Sequence, residues 1–336
     1  MPDLPAIQHD VPLGGLNTLG LAARAERFTT IQSPEELVAL WHSKEWGGGP
    51  ALVLGGGSNL VLTGDVSGLV VHIAIRKFDI RDTEDAVLIA CGAGENWDAV
   101  VKTTLESGHG GLENLISIPG SVGAAPVQNI GAYGLEIAER LAEVAVFDCE
   151  RGSLHSMQNA ACGFSYRNSV FRRSPGRYVI VGVELRLPRP WRPVLTYGEL
   201  TSLDEKTVTP KEIASRVAKI RSAKLPDPAV LPNAGSFFKN PVVPAAQLLE
   251  IRKAYPGAVA YPEAAGGAKL AAGWLIEACG WKGRGIGDAS MHDQQALVMV
   301  NRGRATASDV MALAAAVEAS VWQRFGVRLE REPVMV

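Results

Sequence analysis

No stretch of this 336-residue chain reaches the roughly 18 consecutive apolar residues that a membrane-spanning helix requires. The opening "MPDLPAIQHD" lacks a basic region followed by an apolar run, so no secretory leader is expected and the expected location is the cytoplasm. With 33 basic against 35 acidic residues and a net charge of -2, there is no basic footprint for tracking a nucleic-acid backbone. The four cysteines, Cys91, Cys149, Cys162 and Cys279, form no C-x-x-C pair and lie in apolar or strand-like stretches. They are expected to be buried free thiols in a reducing compartment. Among the six histidines no pair has metal-ligand spacing, and no metal site is expected. The usual nucleotide signatures are also missing. G-x-G-x-x-G fails at Leu60 and again at Trp97, and no G-K-[ST] follows a glycine run.

What the chain does contain is glycine, 36 residues of it, often in short runs that suit tight turns and phosphate-holding loops. An apolar content of 47% with 20% charged residues is ordinary for a globular enzyme, and the length allows two or three domains. "SPEELVALWHSK" predicts a helix capped by Ser33 with Pro34 at its first position, and "NWDAVVKTTLESG" a helix capped by Asn96 and stopped at Gly108. "ALVLGGGSNLVL" reads as a buried strand, a glycine turn and a second strand, and a pattern of strand, helix and strand continues through "GLVVHIAI" and "AVLIACGAG". A hairpin turning at Arg151-Gly152 leads to a long strand in "RYVIVGVELRL". A Thr209-capped helix precedes a boundary near "KLPDPAVLPNAG", where three prolines break any period. Beyond it the pattern predicts helices at "PAAQLLEIRKAYP", "KLAAGWLIEACG" and "ASDVMALAAAVEASVWQRFG", a strand at "ALVMVNRG" and a closing strand in "VRLEREPVMV".

Three stretches carry chemistry. In "LVLGGGSNL" the glycines after a strand let backbone amides converge as a nest for pyrophosphate oxygens, although an ordinary glycine turn has the same composition. In "GLENLISIPGSVGAAPVQNIGAYG" small residues stand beside Ser121, Gln128 and Asn129, a combination that suits a flat, uncharged ring packed on backbone. In "NAGSFFKNP", Ser236 has no G-x-S-x-G elbow and no histidine nearby along the chain, so a hydrolase nucleophile is not indicated.

The first two motifs together resemble the UDP-N-acetylenolpyruvoylglucosamine reductase (UDP-N-acetylmuramate dehydrogenase) family. The resemblance continues through "CGFSYRNSVF", "LTYGEL", "KLPDP", "NAGSFFKNP", "KLAAGWLIEACG", "HDQQALV" and "LEREP". "LTYGEL" is similar to the branch of the family that folds a tyrosine loop over its substrate. The resemblance implies an α+β fold: two FAD-binding subdomains of the vanillyl-alcohol-oxidase/PCMH type and a separate α+β substrate-binding domain. The expected borders are 1–75 and 76–222 for the FAD subdomains, 223–326 for the substrate domain, and 327–336 for a strand returning to the active site. It implies noncovalent FAD, NADPH as co-substrate, and UDP-N-acetylglucosamine enolpyruvate reduced to UDP-N-acetylmuramate for peptidoglycan, in a monomer with no nucleic-acid or membrane partner.

The FAD pyrophosphate is then expected on Gly55, Gly56, Gly57, Ser58 and Asn59. The rings are expected near Pro119, Gly120, Ser121, Gly123 and Ala124, with Val181 a further contact. Arg167 matches the family's catalytic arginine, and its planar guanidinium suits bidentate clamping of a carboxylate. Ser236 corresponds to the general acid and Glu332 to the catalytic glutamate. The family commonly has proline before that glutamate, whereas this chain has Arg331 before it and Pro333 after, so Glu330 remains an alternative register. Tyr133, Tyr197, Lys224, Asn240, Tyr261 and Gln295 correspond to substrate contacts, Tyr197 and Lys224 serving the diphosphate. Of the histidines only His292 falls in a shared motif, and a structural role is expected for it. Two other readings compete. An oxidase of the same fold often tethers flavin to a histidine on the glycine loop, where this chain has Ser58 and Asn59; a binding protein that has lost its chemistry need not keep Arg167, Ser236 and Lys239.

Overall fold

The computed structural model describes residues 4–263 and 266–336. The first three residues of the expected 1–75 segment lie outside the described residues. The chain divides into two compact units.

The first unit takes the stretch ending at Pro12, then Arg24–Gly57 and Asp65–Arg221. One of its sheets has the order Gln8–Pro12, Arg24–Ile31, Val66–Ile73, Leu52–Leu54; the first pairing is antiparallel and the other two are parallel. The other is a five-stranded antiparallel sheet, in the order Ser153–Gln158, Leu141–Asp148, Tyr178–Pro188, Ala86–Gly92, Phe78–Asp82. Helix α1 (Pro34–Trp41) starts where Ser33 Oγ accepts the Glu36 amide at 3.2 Å. Helix α2 (Trp97–Glu106) starts where Asn96 Oδ1 accepts that of Ala99 at 2.9 Å. Both caps satisfy amides that the first helical turn leaves without partners. A short α3 (Val170–Arg173) follows Ser169, and α4 (Pro210–Lys224) begins where Thr209 Oγ1 accepts the Glu212 amide.

The strand–helix–strand pattern read after the glycine run is corrected here. Val66–Ile73 is followed by Phe78–Asp82, not by a helix, and that strand pairs antiparallel with Ala86–Gly92. Its sequence, FDIRD, is mostly exposed, so it carries little of the apolar alternation by which strands are read.

The second unit combines Leu13–Ala23, Ser58–Gly64 and Ser222–Val336. It holds an antiparallel sheet ordered Asn233–Ser236, Val298–Asn301, Ala289–Met291, Gly285–Ile286 and a smaller one ordered Val242–Pro244, Gly267–Leu270, Ala260–Pro262. Helices α5 (Ala245–Ala254), α6 (Ala272–Ala278) and α7 (Ala307–Phe325) accompany them. Thr306 and Asp309 form a reciprocal capping box on α7, which buries Val310, Leu313, Ala314, Val317 and Val321.

Two sequence expectations change in this unit. The helix read at "KLAAGWLIEACG" starts only at Ala272, because Lys269 and Leu270 belong to a strand. The closing strand is only Val334–Met335, and it pairs in parallel with Leu60–Val61. The two strands expected on either side of the glycine turn are present, Leu52–Leu54 in the first unit and Leu60–Val61 in the second. All four cysteines are free, but only Cys91 and Cys162 are buried. Burial pushes the Cys91 thiol up to about 12, so it stays protonated and unreactive near neutrality.

Trp97 is buried, and its indole donates to the carbonyl of Leu115 at 3.0 Å, holding the loop that follows α2. Trp97→Phe leaves that carbonyl without its donor. Urea unfolding followed by far-ultraviolet circular dichroism should register a loss of about 1–3 kcal/mol.

Candidate active site

The glycine run and the Pro119–Ala124 loop meet inside the first unit as bare backbone. A Cβ added to Gly56 would lie 2.7 Å from Gly120 Cα and 3.0 Å from the Ser121 amide nitrogen, and one on Gly55 would strike Ser121 Oγ. Gly120 itself has φ 121°, which side chains rarely adopt. The loop is fixed from behind: Trp97 N donates to Gly120 O at 3.0 Å, Gly123 N to Ala93 O at 2.8 Å, and Ala93 N to Val181 O at 3.1 Å. Val181 is thereby a buried core residue supporting the loop, and Pro119 is exposed. Ser121 Oγ is buried and has no hydrogen-bond partner among the described residues. Together these features fit a phosphate-bearing, flat cofactor. The cradle has exposed backbone where side chains would intrude, and it keeps one hydroxyl in reserve. Ser58 and Asn59, expected on the same nest, belong to the second unit, where Asn59 holds the C-terminal segment: its side-chain Nδ2 donates to Glu332 O at 3.3 Å, and its backbone carbonyl accepts from Val334 N at 3.0 Å.

Next to this cradle the chain adopts left-handed backbone at four non-glycine residues: Ser117 (φ 61°), Asn129 (φ 48°), Tyr133 (φ 50°) and Arg167 (φ 52°). Such conformations are costly for side chains as large as Tyr and Arg and persist only where neighbours enforce them. Two buried amides do the enforcing. Asn114 Nδ2 donates to Tyr133 O at 2.8 Å and to Val194 O at 2.9 Å. Asn129 Nδ2 donates to Glu136 Oε2 at 2.6 Å and to Ser165 O at 3.2 Å, and its Oδ1 accepts from Ala138 N. Asn129, read in the sequence as an amide facing a ring, is fully buried and serves the loop itself. Arg167 sits in the tight turn closed by paired Ser165 and Asn168, and its Nη2 donates to Gly131 O at 3.1 Å. Tyr133 stacks edge-on with the exposed Tyr197 at 5.9 Å.

Sequence reading missed Arg221 in this unit. Its Nε is buried without a hydrogen-bond partner among the described residues, and burial lowers its pKa while Tyr133 and Asp98 oppose that shift. The Tyr133 phenol is pushed up by burial and drawn back by Arg221. The burial of Arg221 Nε is a three-dimensional fact that the helix sequence does not carry. Asn114 was in view within "GLENL", but nothing local distinguished a staple from a surface amide.

In the second unit Ser236 ends the strand Asn233–Ser236, whose pairing with Val298–Asn301 shifts register between Asn233 and Ser236. A bulge of this kind re-aims the side chain that follows it. The C-terminal segment runs antiparallel beside it: Glu332 N donates to Phe237 O at 2.9 Å, and Lys239 N to Glu330 O at 2.9 Å. Ser236 and Glu332 are thus brought to neighbouring positions. Glu332 is buried, whereas Glu330 is exposed and ion-paired to Lys239. Asn240 Oδ1 accepts the Ala272 amide at 2.9 Å at the start of α6, and Gln295 Oε1 that of Leu297 at 3.4 Å. Tyr261 lies half-buried on the strand Ala260–Pro262, and Lys224 is exposed at the end of α4. His292 N donates to Val298 O, and its Nδ1 accepts from Gln294 N. No group of three or more His, Cys, Asp or Glu side chains among the described residues could hold a metal ion.

This cradle and its sheets define a flavoprotein of the FAD-binding α+β class: residues 25–158 match the family described as FAD binding domain. Residues 227–336 match the UDP-N-acetylenolpyruvoylglucosamine reductase C-terminal domain. The UDP-N-acetylenolpyruvoylglucosamine reductase of Azoarcus sp. (strain BH72) is 49% identical over 98% of this chain and 98% of its own. That of Bordetella pertussis is 48% identical over 100% of this chain and 97% of its own. The crystal structure of the Thermus caldophilus reductase (MurB) superposes with a TM-score of 0.71 at 26% identity, covering 99% of each chain. The chain belongs to the UDP-N-acetylenolpyruvoylglucosamine reductase family.

Gly56→Ala tests the cradle. The added methyl meets Gly120 Cα at 2.7 Å, so the purified variant should carry markedly less flavin per chain, read from the ratio of absorbance near 450 nm to that at 280 nm (roughly the flavin and protein bands), with secondary structure retained. Full flavin content would remove the close approach from the binding argument.

Proposed function

We propose that this chain reduces UDP-N-acetylglucosamine enolpyruvate to UDP-N-acetylmuramate at the expense of NADPH, a cytoplasmic step in making peptidoglycan precursors, and that it acts as a monomer. The proposed division assigns residues 1–75 and 76–222 to FAD binding, 223–326 to the substrate and 327–336 to the active-site strand. Family membership supports the reaction, and the burial of Glu332 beside the Ser236 strand carries the assignment of roles.

When bound, FAD would supply the hydride chemistry that links NADPH to the terminal vinyl carbon of the enolpyruvyl ether. Gly55, Gly56 and Gly57 with Gly120, Ser121, Gly123 and Ala124 would hold it, the Ser121 hydroxyl finding there the partner it otherwise lacks. Addition at the vinyl carbon leaves negative charge on the neighbouring carbon, spread into its carboxylate. Arg167 binds that carboxylate, its left-handed backbone and its bond to Gly131 O setting the guanidinium in advance of the substrate. Glu332 orients the reacting group, and the exposure of Glu330 argues against the alternative register. Ser236 donates the proton from Oγ to the carbanionic carbon and is afterwards reprotonated from water. Tyr197 and Lys224 take the diphosphate, while Tyr133, Asn240, Tyr261 and Gln295 line the sugar nucleotide.

Stopped-flow absorbance separates flavin reduction by NADPH from reoxidation by substrate. Ser236→Ala should reduce at the normal rate and reoxidise about 10²–10⁴-fold more slowly, with Ser236→Cys falling between. An alanine variant that reoxidises normally would return Ser236 to a turn residue. Glu332→Gln should impair reoxidation while Glu330→Gln leaves it near normal; the reverse pattern would move the site by two residues.

A further inference from the structure

We propose that Arg331 is a positioning residue for Glu332, acting through a bidentate clamp to Glu318 on α7; this rests on the reading of Glu332 as the active-site carboxylate. Arg331 Nε lies 2.6 Å from Glu318 Oε1 and Nη2 lies 3.0 Å from Oε2, with Met311 Sδ 3.5 Å from Nη1. Both side chains are mostly buried, at 23% and 29% exposure, so solvent screens the pair less than it would an exposed one. A fork-on-fork pair fixes direction as well as distance.

Glu332 lies where the C-terminal segment crosses the Phe237–Lys239 stretch, and the clamp acts from the neighbouring residue. Residues 330–332 form no strand; they touch the Phe237–Lys239 segment through the single Phe238–Arg331 bridge and its two flanking hydrogen bonds. In an extended antiparallel pair, side chains alternate between faces, and opposed residues share one. Glu330 therefore falls on the side of Lys239, with which it is ion-paired, and Glu332 on that same side opposite Phe237. Arg331 leaves from the other side, toward α7. Pulling Arg331 onto Glu318 consequently sets the rotation of the segment about its own axis, and with it the direction of the Glu332 carboxylate. The anchor is firm, because α7 is held by its own buried stripe and capping box. Asn59 grips the next stretch, through Glu332 O and Val334 N, so the clamp adds a side-chain hold to a segment already held by its backbone.

A clamp that merely stabilised the fold would act independently of Glu332, so a double-mutant cycle on the holoenzyme separates the two cases. Arg331→Ala and Glu318→Gln should each slow flavin reoxidation by substrate about 10-fold to 10²-fold, the scale of a misplaced catalytic group, and leave reduction by NADPH unchanged. In a Glu332→Gln background the same substitutions should have no further effect on reoxidation. Arg331→Lys keeps charge but not the fork, so it should lie between wild type and alanine, and it serves if Arg331→Ala does not fold. Normal reoxidation in Arg331→Ala and Glu318→Gln, with Glu332→Gln crippled, overturns the clamp and leaves the Glu332 reading standing. Normal reoxidation in Glu332→Gln overturns both. Effects that multiply in the double variants reduce the pair to a stabilising contact and overturn the proposal.

Discussion

The close approach of Gly55 and Gly56 to Gly120 and Ser121 is the constraint from which the first unit's chemistry follows. Two backbone segments can pass at this distance only if neither carries a Cβ at the crossing. A glycine segment of this kind lets backbone amides converge on an anionic group. The support is layered: the loop is tied to α2 through Trp97, and to the sheet through Ala93 and Val181. A change in those supporting positions would be felt at the cradle without touching it.

Beyond the cradle, the first unit shows how buried amides hold strained backbone. Tyr133 and Arg167 occupy conformations that large side chains avoid, and Asn114 and Asn129 hold the carbonyls around them. Each amide joins segments distant in sequence, so the strain is offset by hydrogen bonds that are partly shielded from water. Tyr133 and Arg167 are therefore held in place by the fold itself. In the second unit the same result comes from different means: a bulged strand aims Ser236, and a short bridged segment carries Glu332 beside it.

How much of this was legible in the sequence varied with how local the cause is. The caps at Ser33, Asn96 and Thr209 and the hairpin at Arg151-Gly152 were readable because their chemistry lies within a few residues. Helix α7 announced itself by its apolar period and terminal Gly326. The polar strand Phe78–Asp82 was not, since its pairing with Ala86–Gly92 is decided by the neighbour and not by its own pattern. Glycine pairs and motif order pointed to the cradle, but not to which segment each glycine faces. Asn129 was noticed for the wrong reason, and Arg221 was missed, because burial depends on what the rest of the chain places nearby.

The parallel pairing of Leu60–Val61 with Val334–Met335 has a consequence for biogenesis. Thr63 is bonded to a residue 273 positions further along, as Asn59 is to Glu332. A ribosome therefore releases this apolar strand long before its partner exists, and loop closure over such a span is slow. Until then its backbone edge stands open to pairing with other chains. The nascent protein should be most exposed to aggregation, and most dependent on chaperones, during that interval, even though the segment concerned is only two residues long and fully covered in the finished fold.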